Sequence, residues 1–99
     1  MQNINDRILK VSSPTQQKAI FYLYKNINQR AFTTMEKLSK GSGISKGSFF
    51  PVLDLLEVGG VINTSNRGRI GIYIEIINQE SFEYIGDKIE QTGILKIDS

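Results

Sequence analysis

A chain of 99 residues with 39% hydrophobic side chains has enough apolar surface for one core and too little length for a second, so one domain over 1–99 is expected. It contains no Cys and no His, which excludes disulfides, Cys/His zinc sites, cysteine nucleophiles and Ser-His triads; no catalytic residue, cofactor or metal is expected. The formal charge of +2 is unevenly divided: residues 1–53 carry eight Lys or Arg against two acids, and residues 54–99 carry four against eight.

No apolar run approaches the roughly 20 residues of a membrane span, and Met1 to Val11 lacks the apolar block of a signal peptide. A soluble, cytoplasmic protein is the expectation.

In chain order, Ile4, Ile8 and Val11 recur at helical spacing within an N-terminal segment, 1–12, that has no cap. Ser13-Pro14-Thr15-Gln16 then has the form of a capping box with Pro at the first helical position, opening a helix to about Asn28 whose stripe is Ile20, Leu23, Tyr24 and Ile27. A second box at Thr33-Thr34-Met35-Glu36 opens a helix of scarcely two turns, with Met35 and Leu38 inward and an end at Gly41. Gly41-Ser42-Gly43-Ile44 supplies two glycines for a tight turn and one apolar anchor.

The next helix buries Phe49, Val52, Leu53 and Leu56 and stops at Gly59-Gly60. Ser45 or Ser48 can cap it. Pro51 favours Ser48, because proline is cheap only in the first turn, and the alternative is a kink at Gly47. Val61 to Thr64 and Arg69 to Ile77 then predict two strands, the second alternating Ile70, Ile72, Ile74 and Ile76, joined by a Ser65-Asn66-Arg67-Gly68 turn. Asn78 can cap a last helix to about Gln91, with Phe82, Ile85 and Ile89 inward and Glu80, Glu83, Asp87 and Glu90 outward, ended by Gly93.

This order of elements, with Thr-Thr-Met-Glu-Lys-Leu at 33–38, Ile-Ser-Lys-Gly-Ser-Phe-Phe at 44–50, Leu-Leu-Glu-Val-Gly-Gly-Val-Ile at 55–62 and Asn-Arg-Gly-Arg at 66–69 before Tyr73, resembles the winged helix-turn-helix family. Ser45-Lys46-Gly47-Ser48, Gly59-Gly60-Val61-Ile62 and the Arg67-Gly68-Arg69 pair with Tyr73 are similar to the TubR-type centromere-binding proteins of plasmid partition, and to small MarR- and PadR-type repressors; Pro51 departs from that pattern. The resemblance implies an α+β fold with a three-helix core (13–64), a two-stranded hairpin wing (61–77) and an additional C-terminal helix (78–92). It also implies a homodimer on double-stranded DNA, with a tubulin-like GTPase as a further partner in the partition role.

In such domains the helix after the turn puts its N-terminal residues at base edges, while the helix before it lies across the backbone. Ser45, Lys46, Gly47 and Ser48 then stand at the bases. Thr33, Thr34, Lys37 and Lys40 fall to the phosphates, and Asn66, Arg67 and Arg69 form the basic wing tip. No acid occurs from Lys37 to Leu53. Single serines here read equally well as caps and single lysines as solvated surface; their joint placement is what points to DNA. The glycine-rich 41–48 segment fails as a phosphate-cradling P-loop because Lys46 precedes Gly47 and a helix comes before it. Asp54 and Glu57, one turn apart, fit a solvated helix face better than an acid-base pair. A winged helix used only for protein contacts, with the acidic last helix as its surface, is the alternative from another class.

The stripe of the last helix, followed by Ile94, Leu95 and Ile97, exceeds what one subunit needs. Some of it is therefore expected to be shared between subunits, with Ile4, Ile8 and Val11 of the N-terminal segment as further candidates.

Overall fold

The computed structural model describes residues 4–65 and 71–92. Five helices and three strands follow one another as α1 (Ile4–Val11), α2 (Pro14–Asn26), β1 (Arg30–Thr33), α3 (Met35–Ser42), α4 (Lys46–Val58), β2 (Ile62–Ser65), β3 (Ile72–Ile76) and α5 (Gln79–Thr92). The fold is α+β, with the strands in one antiparallel sheet ordered β1-β3-β2. No helix among the described residues is long and apolar enough to cross a membrane.

Helix α2 starts as its sequence dictates. The Gln16 N–H donates to Ser13 Oγ (3.1 Å), the Ser13 N–H donates to Gln16 Oε1 (2.9 Å), and Pro14 occupies the first turn. Its buried face is Ala19, Ile20 and Leu23, continued by Ile27 just past the helix, while Tyr24 is only half-buried. Helix α5 starts the same way, with Asn78 Oδ1 accepting the Ser81 N–H (3.0 Å).

Strand β1 is not predicted by the sequence pattern. Four residues between polar flanks are too few for a period of two to register. Their partner decides the matter: Phe32 lies opposite Tyr73 and Ala31 opposite Ile74, so β1 uses the free edge of β3 and makes the sheet three-stranded instead of two. This strand also takes Thr33 out of the following helix. Thr34 is the cap of α3, its side chain accepting the Lys37 N–H (3.0 Å), so the expected box with Glu36 is not formed.

One core joins all layers. Phe49, Val52, Leu53 and Leu56 of α4 are fully buried with Ile20 and Leu23 of α2, Ile62, Ile72 and Ile74 of the sheet, and Phe82, Ile85 and Ile89 of α5. Tyr22 meets Phe49 edge to face at 6.4 Å and Tyr24 meets Phe82 at 5.8 Å, geometries that add to the area buried. Hydrogen bonds tie the outer helices down: the Tyr84 hydroxyl donates to Asp6 (2.8 Å) and the Tyr24 hydroxyl to Asp87 (2.9 Å), the latter raising the Tyr24 pKa above its ordinary value. Phe82, Ile85 and Ile89 are thus spent inside the subunit, which corrects the expectation for that part of the stripe; Gly93, Ile94, Leu95 and Ile97 lie outside the described residues. Ile8 is likewise internal, whereas Ile4 and Val11 face outward.

Gly86 shows why α5 tolerates a poor helix former. A Cβ there would overlap the Tyr24 ring at Cγ, Cδ1 and Cδ2, the end of the ring nearest its own backbone. Gly86→Ala is expected to destabilise the chain by about 1–3 kcal/mol through overpacking, even though alanine gains about 1 kcal/mol of helix propensity. An unchanged denaturation midpoint would show that α2 and α5 separate freely.

Candidate nucleic-acid interface

Helices α3 and α4 meet through a turn whose geometry is set by Gly43, at φ 75° and ψ 14°, a left-handed conformation that suits glycine. The Gly43 N–H closes α3 on the Ser39 carbonyl (2.8 Å), and Ile44 is the buried anchor after it. Helix α3 therefore runs one residue past Gly41. That glycine has another cause: a Cβ on it would overlap the Tyr22 hydroxyl, so its missing side chain lets α2 pass.

Ser45, not Ser48, caps α4. Its Oγ accepts the Ser48 N–H (3.3 Å) and donates to Ser48 Oγ (3.1 Å). The two hydroxyls named as base contacts are thus engaged with each other. The N–H groups of Lys46 and Gly47, both exposed, have no acceptor within their own helix and carry its positive dipole end. There is no shift of the cap to Ser48, so Pro51 lies in the second turn of a continuous helix. Without an N–H it leaves the Gly47 carbonyl without its helical donor, a defect that costs about 3 kcal/mol in a helix interior.

Lys37 and Lys40 are exposed on α3, and Lys40 also approaches Glu36 at 3.6 Å across one turn, a solvent-screened pair of little strength. Lys46 is exposed at the start of α4. These three cations and the α4 N-terminus belong to the two helices flanking the Gly43 turn. Of the other expected contacts, Thr34 is spent as a cap and Thr33 is half-buried in β1 opposite Ile72. Asn66, Arg67 and Arg69 lie outside the described residues. Of the other basic residues of the first half, Lys25 lies over the Phe21 and Tyr24 rings at 5.4 and 5.8 Å, and Arg30 hydrogen-bonds Tyr73 on the outer face of the sheet, which with nearby Glu75 raises its pKa.

The outer ridge of α4 is the feature that sequence inspection missed. Gly47, Pro51, Asp54 and Val58 follow one another at four, three and four residues along the face opposite the core, with Phe50 beside them, and all five are exposed. The signal is the Phe49-Phe50 pair: the buried stripe of α4 is centred on Val52 and Leu53, Phe49 lies three and four residues before them, and Phe50 is thereby turned to the flank. Glu57 also departs from a solvated face, because its carboxylate accepts the Thr64 N–H (2.8 Å) and hydroxyl (2.9 Å), locking the end of α4 to β2.

No Cys/His/Asp/Glu cluster able to hold a metal occurs among the described residues. Comparison with protein-family models and with curated proteins yields no match.

Proposed function

We propose that the chain is a winged helix-turn-helix protein that binds double-stranded DNA as a homodimer, placing the N-terminal half of α4 in the major groove and α3 against the phosphates. The observation that carries this reading is the acid-free stretch from Lys37 to Leu53, whose Lys37, Lys40 and Lys46 stand exposed on α3 and in the first turn of α4, helices anchored by a fully buried core. Phosphate rewards that combination of fixed dipole and cations, and a groove needs a protruding, rigid helix end. Support comes also from the sheet order: β2 and β3 are adjacent, consistent with a hairpin, and β1 seals the other edge of β3, the arrangement expected of a wing anchored to the core.

In this reading the protein serves either as a partition adaptor that presents bound DNA to a tubulin-like GTPase or as a repressor that occludes a promoter. The dimer surface is the end of α4 with the outer side of α1. Val58 is 86% exposed there and, with Ile4, Arg7, Ile8, Val11, Leu55 and Gly59, lines an apolar groove of about 190 Å³. A two-fold interface apposes one patch to its own copy, and an exposed apolar patch gains by that burial on both sides.

The test is a salt titration of binding to a labelled duplex from the DNA flanking the gene. Wild-type affinity should fall steeply with salt, and Lys46→Ala should weaken binding and flatten the log–log slope by about 0.9, the share of one phosphate that is no longer neutralised. Absence of salt-dependent duplex binding would instead leave a module for protein contacts.

A further inference from the structure

Given duplex binding by α4, its base contacts need a source other than the serines. Ser45 and Ser48 hydrogen-bond each other, Ser48 is half-buried, and Gly47 has no side chain. What the first two turns present outward besides Lys46 is apolar: Phe50, 39% exposed, and the ring of Pro51 on the ridge above Gly47. Neither position is explained by the core, which takes Phe49, Val52 and Leu53 instead. Pro51 is there despite the backbone donor it removes, and the ridge turns acidic only at Asp54.

An apolar pair with Lys46 one turn before Phe50 on the same helix, and with Lys37 and Lys40 exposed on the helix that precedes the Gly43 turn, matches a surface that is anionic at its edges and apolar at points between them. The major groove has this character, because thymine carries a 5-methyl group there between two phosphate rails. An apolar protein partner would gain nothing from the neighbouring Lys46. We propose that Phe50 and Pro51 read thymine 5-methyl groups in the major groove and so set the base preference of α4. This rests on the duplex-binding reading, and the methyl group is the chemical feature that separates the two.

Removing that methyl without altering base pairing is done by replacing thymine with deoxyuridine. A duplex enriched on the wild-type protein from a random-core pool is synthesised in both forms, and their affinities are compared at one salt concentration. The deoxyuridine duplex should bind about fourfold more weakly for each contacted thymine, the effect of one methyl group left unburied. Phe50→Ala and Pro51→Ala should bind the two forms more nearly alike, the double variant equally, with the salt slope kept. Equal binding of both forms by wild type overturns the proposal while leaving DNA binding intact, as does full discrimination retained by the double variant. No enrichment and no binding of the pool overturns the underlying reading as well.

Discussion

Replacing Lys37, Lys40 and Lys46 together by glutamate is expected to abolish duplex binding at physiological salt. Non-specific affinity rests almost wholly on neutralised phosphates, each adding about 0.9 to the log–log salt slope, so giving up three of them removes most of the affinity behind a dissociation constant in the usual 10⁻⁴–10⁻⁶ M range. Reversal adds repulsion of about 1 kcal/mol for each carboxylate held near 4 Å from a phosphate even in bulk water. The fold should survive, because all three side chains are exposed and the Lys40–Glu36 pair is a weak one. A glutamate in the first turn of α4 is favourable to its dipole and one in the last turn of α3 unfavourable, each by about 0.3–1 kcal/mol, so the two oppose. Thermal melts should therefore stay close to wild type while anisotropy shows no binding. A control with Lys10, Arg30 and Lys88 reversed makes an equal change in net charge on α1, β1 and α5 instead. If that control loses binding to the same degree, the α3–α4 face is not the one that meets DNA.

How far the sequence foretells this face depends on which interactions are local. Caps and stripes are local, and Ser13-Pro14-Thr15-Gln16, Asn78, the Gly43 turn and the Phe49-Val52-Leu53-Leu56 face stand where their spacing puts them. What the pattern does not reveal is set by distant partners. Strand β1 exists because β3 offers an edge, not because Arg-Ala-Phe-Thr favours a strand. Glu57 belongs to Thr64, and Gly86 to Tyr24, 62 positions earlier in the numbering.

The candidate site divides along the same line. The lysines lie where helical spacing predicts because exposed side chains on a helix follow its periodicity alone. The hydroxyls do not, because each had two uses and the backbone N–H took it: Thr34 and Ser45 are caps, and Ser48 completes the second cap. Pro51 shows a local cost overruled. It favours a helix starting at Ser48, yet the cap is Ser45, whose Oγ accepts the Ser48 N–H and whose carbonyl accepts the Phe49 N–H (3.2 Å), next to the buried anchor Ile44.

If the proposed dimer forms through the Val58 patch, Val58→Lys is expected to convert it to a monomer while leaving each subunit folded. The position is 86% exposed within the chain and lies at the C-terminal end of α4, where a cation suits the helix dipole, so the subunit itself loses nothing. In the proposed dimer the same ammonium would be enclosed in the apolar patch that Val58 lines together with Arg7, and two-fold symmetry makes this happen twice. An unpaired charge in such surroundings costs several kcal/mol, enough to weaken association by more than about a hundredfold. The consequence reaches the DNA. Helix α4 has 13 residues, about 20 Å of length at 1.5 Å each, and joining two copies at their C-terminal ends turns both N-termini outward. With about 8–10 Å between the joined ends, tilted helices bring the N-termini to the 34–36 Å that separates half-sites one helical turn apart. The monomer should then bind a single half-site as wild type does but lose about 10²–10⁴ on a two-site duplex, the gain from linkage. Phe32→Lys, placed on the other large exposed apolar residue of the sheet face (58%), should leave the dimer intact. Sedimentation at matched concentration decides: a Val58→Lys protein that remains dimeric, or a Phe32→Lys protein that does not, moves the subunit contact to the outer face of the sheet.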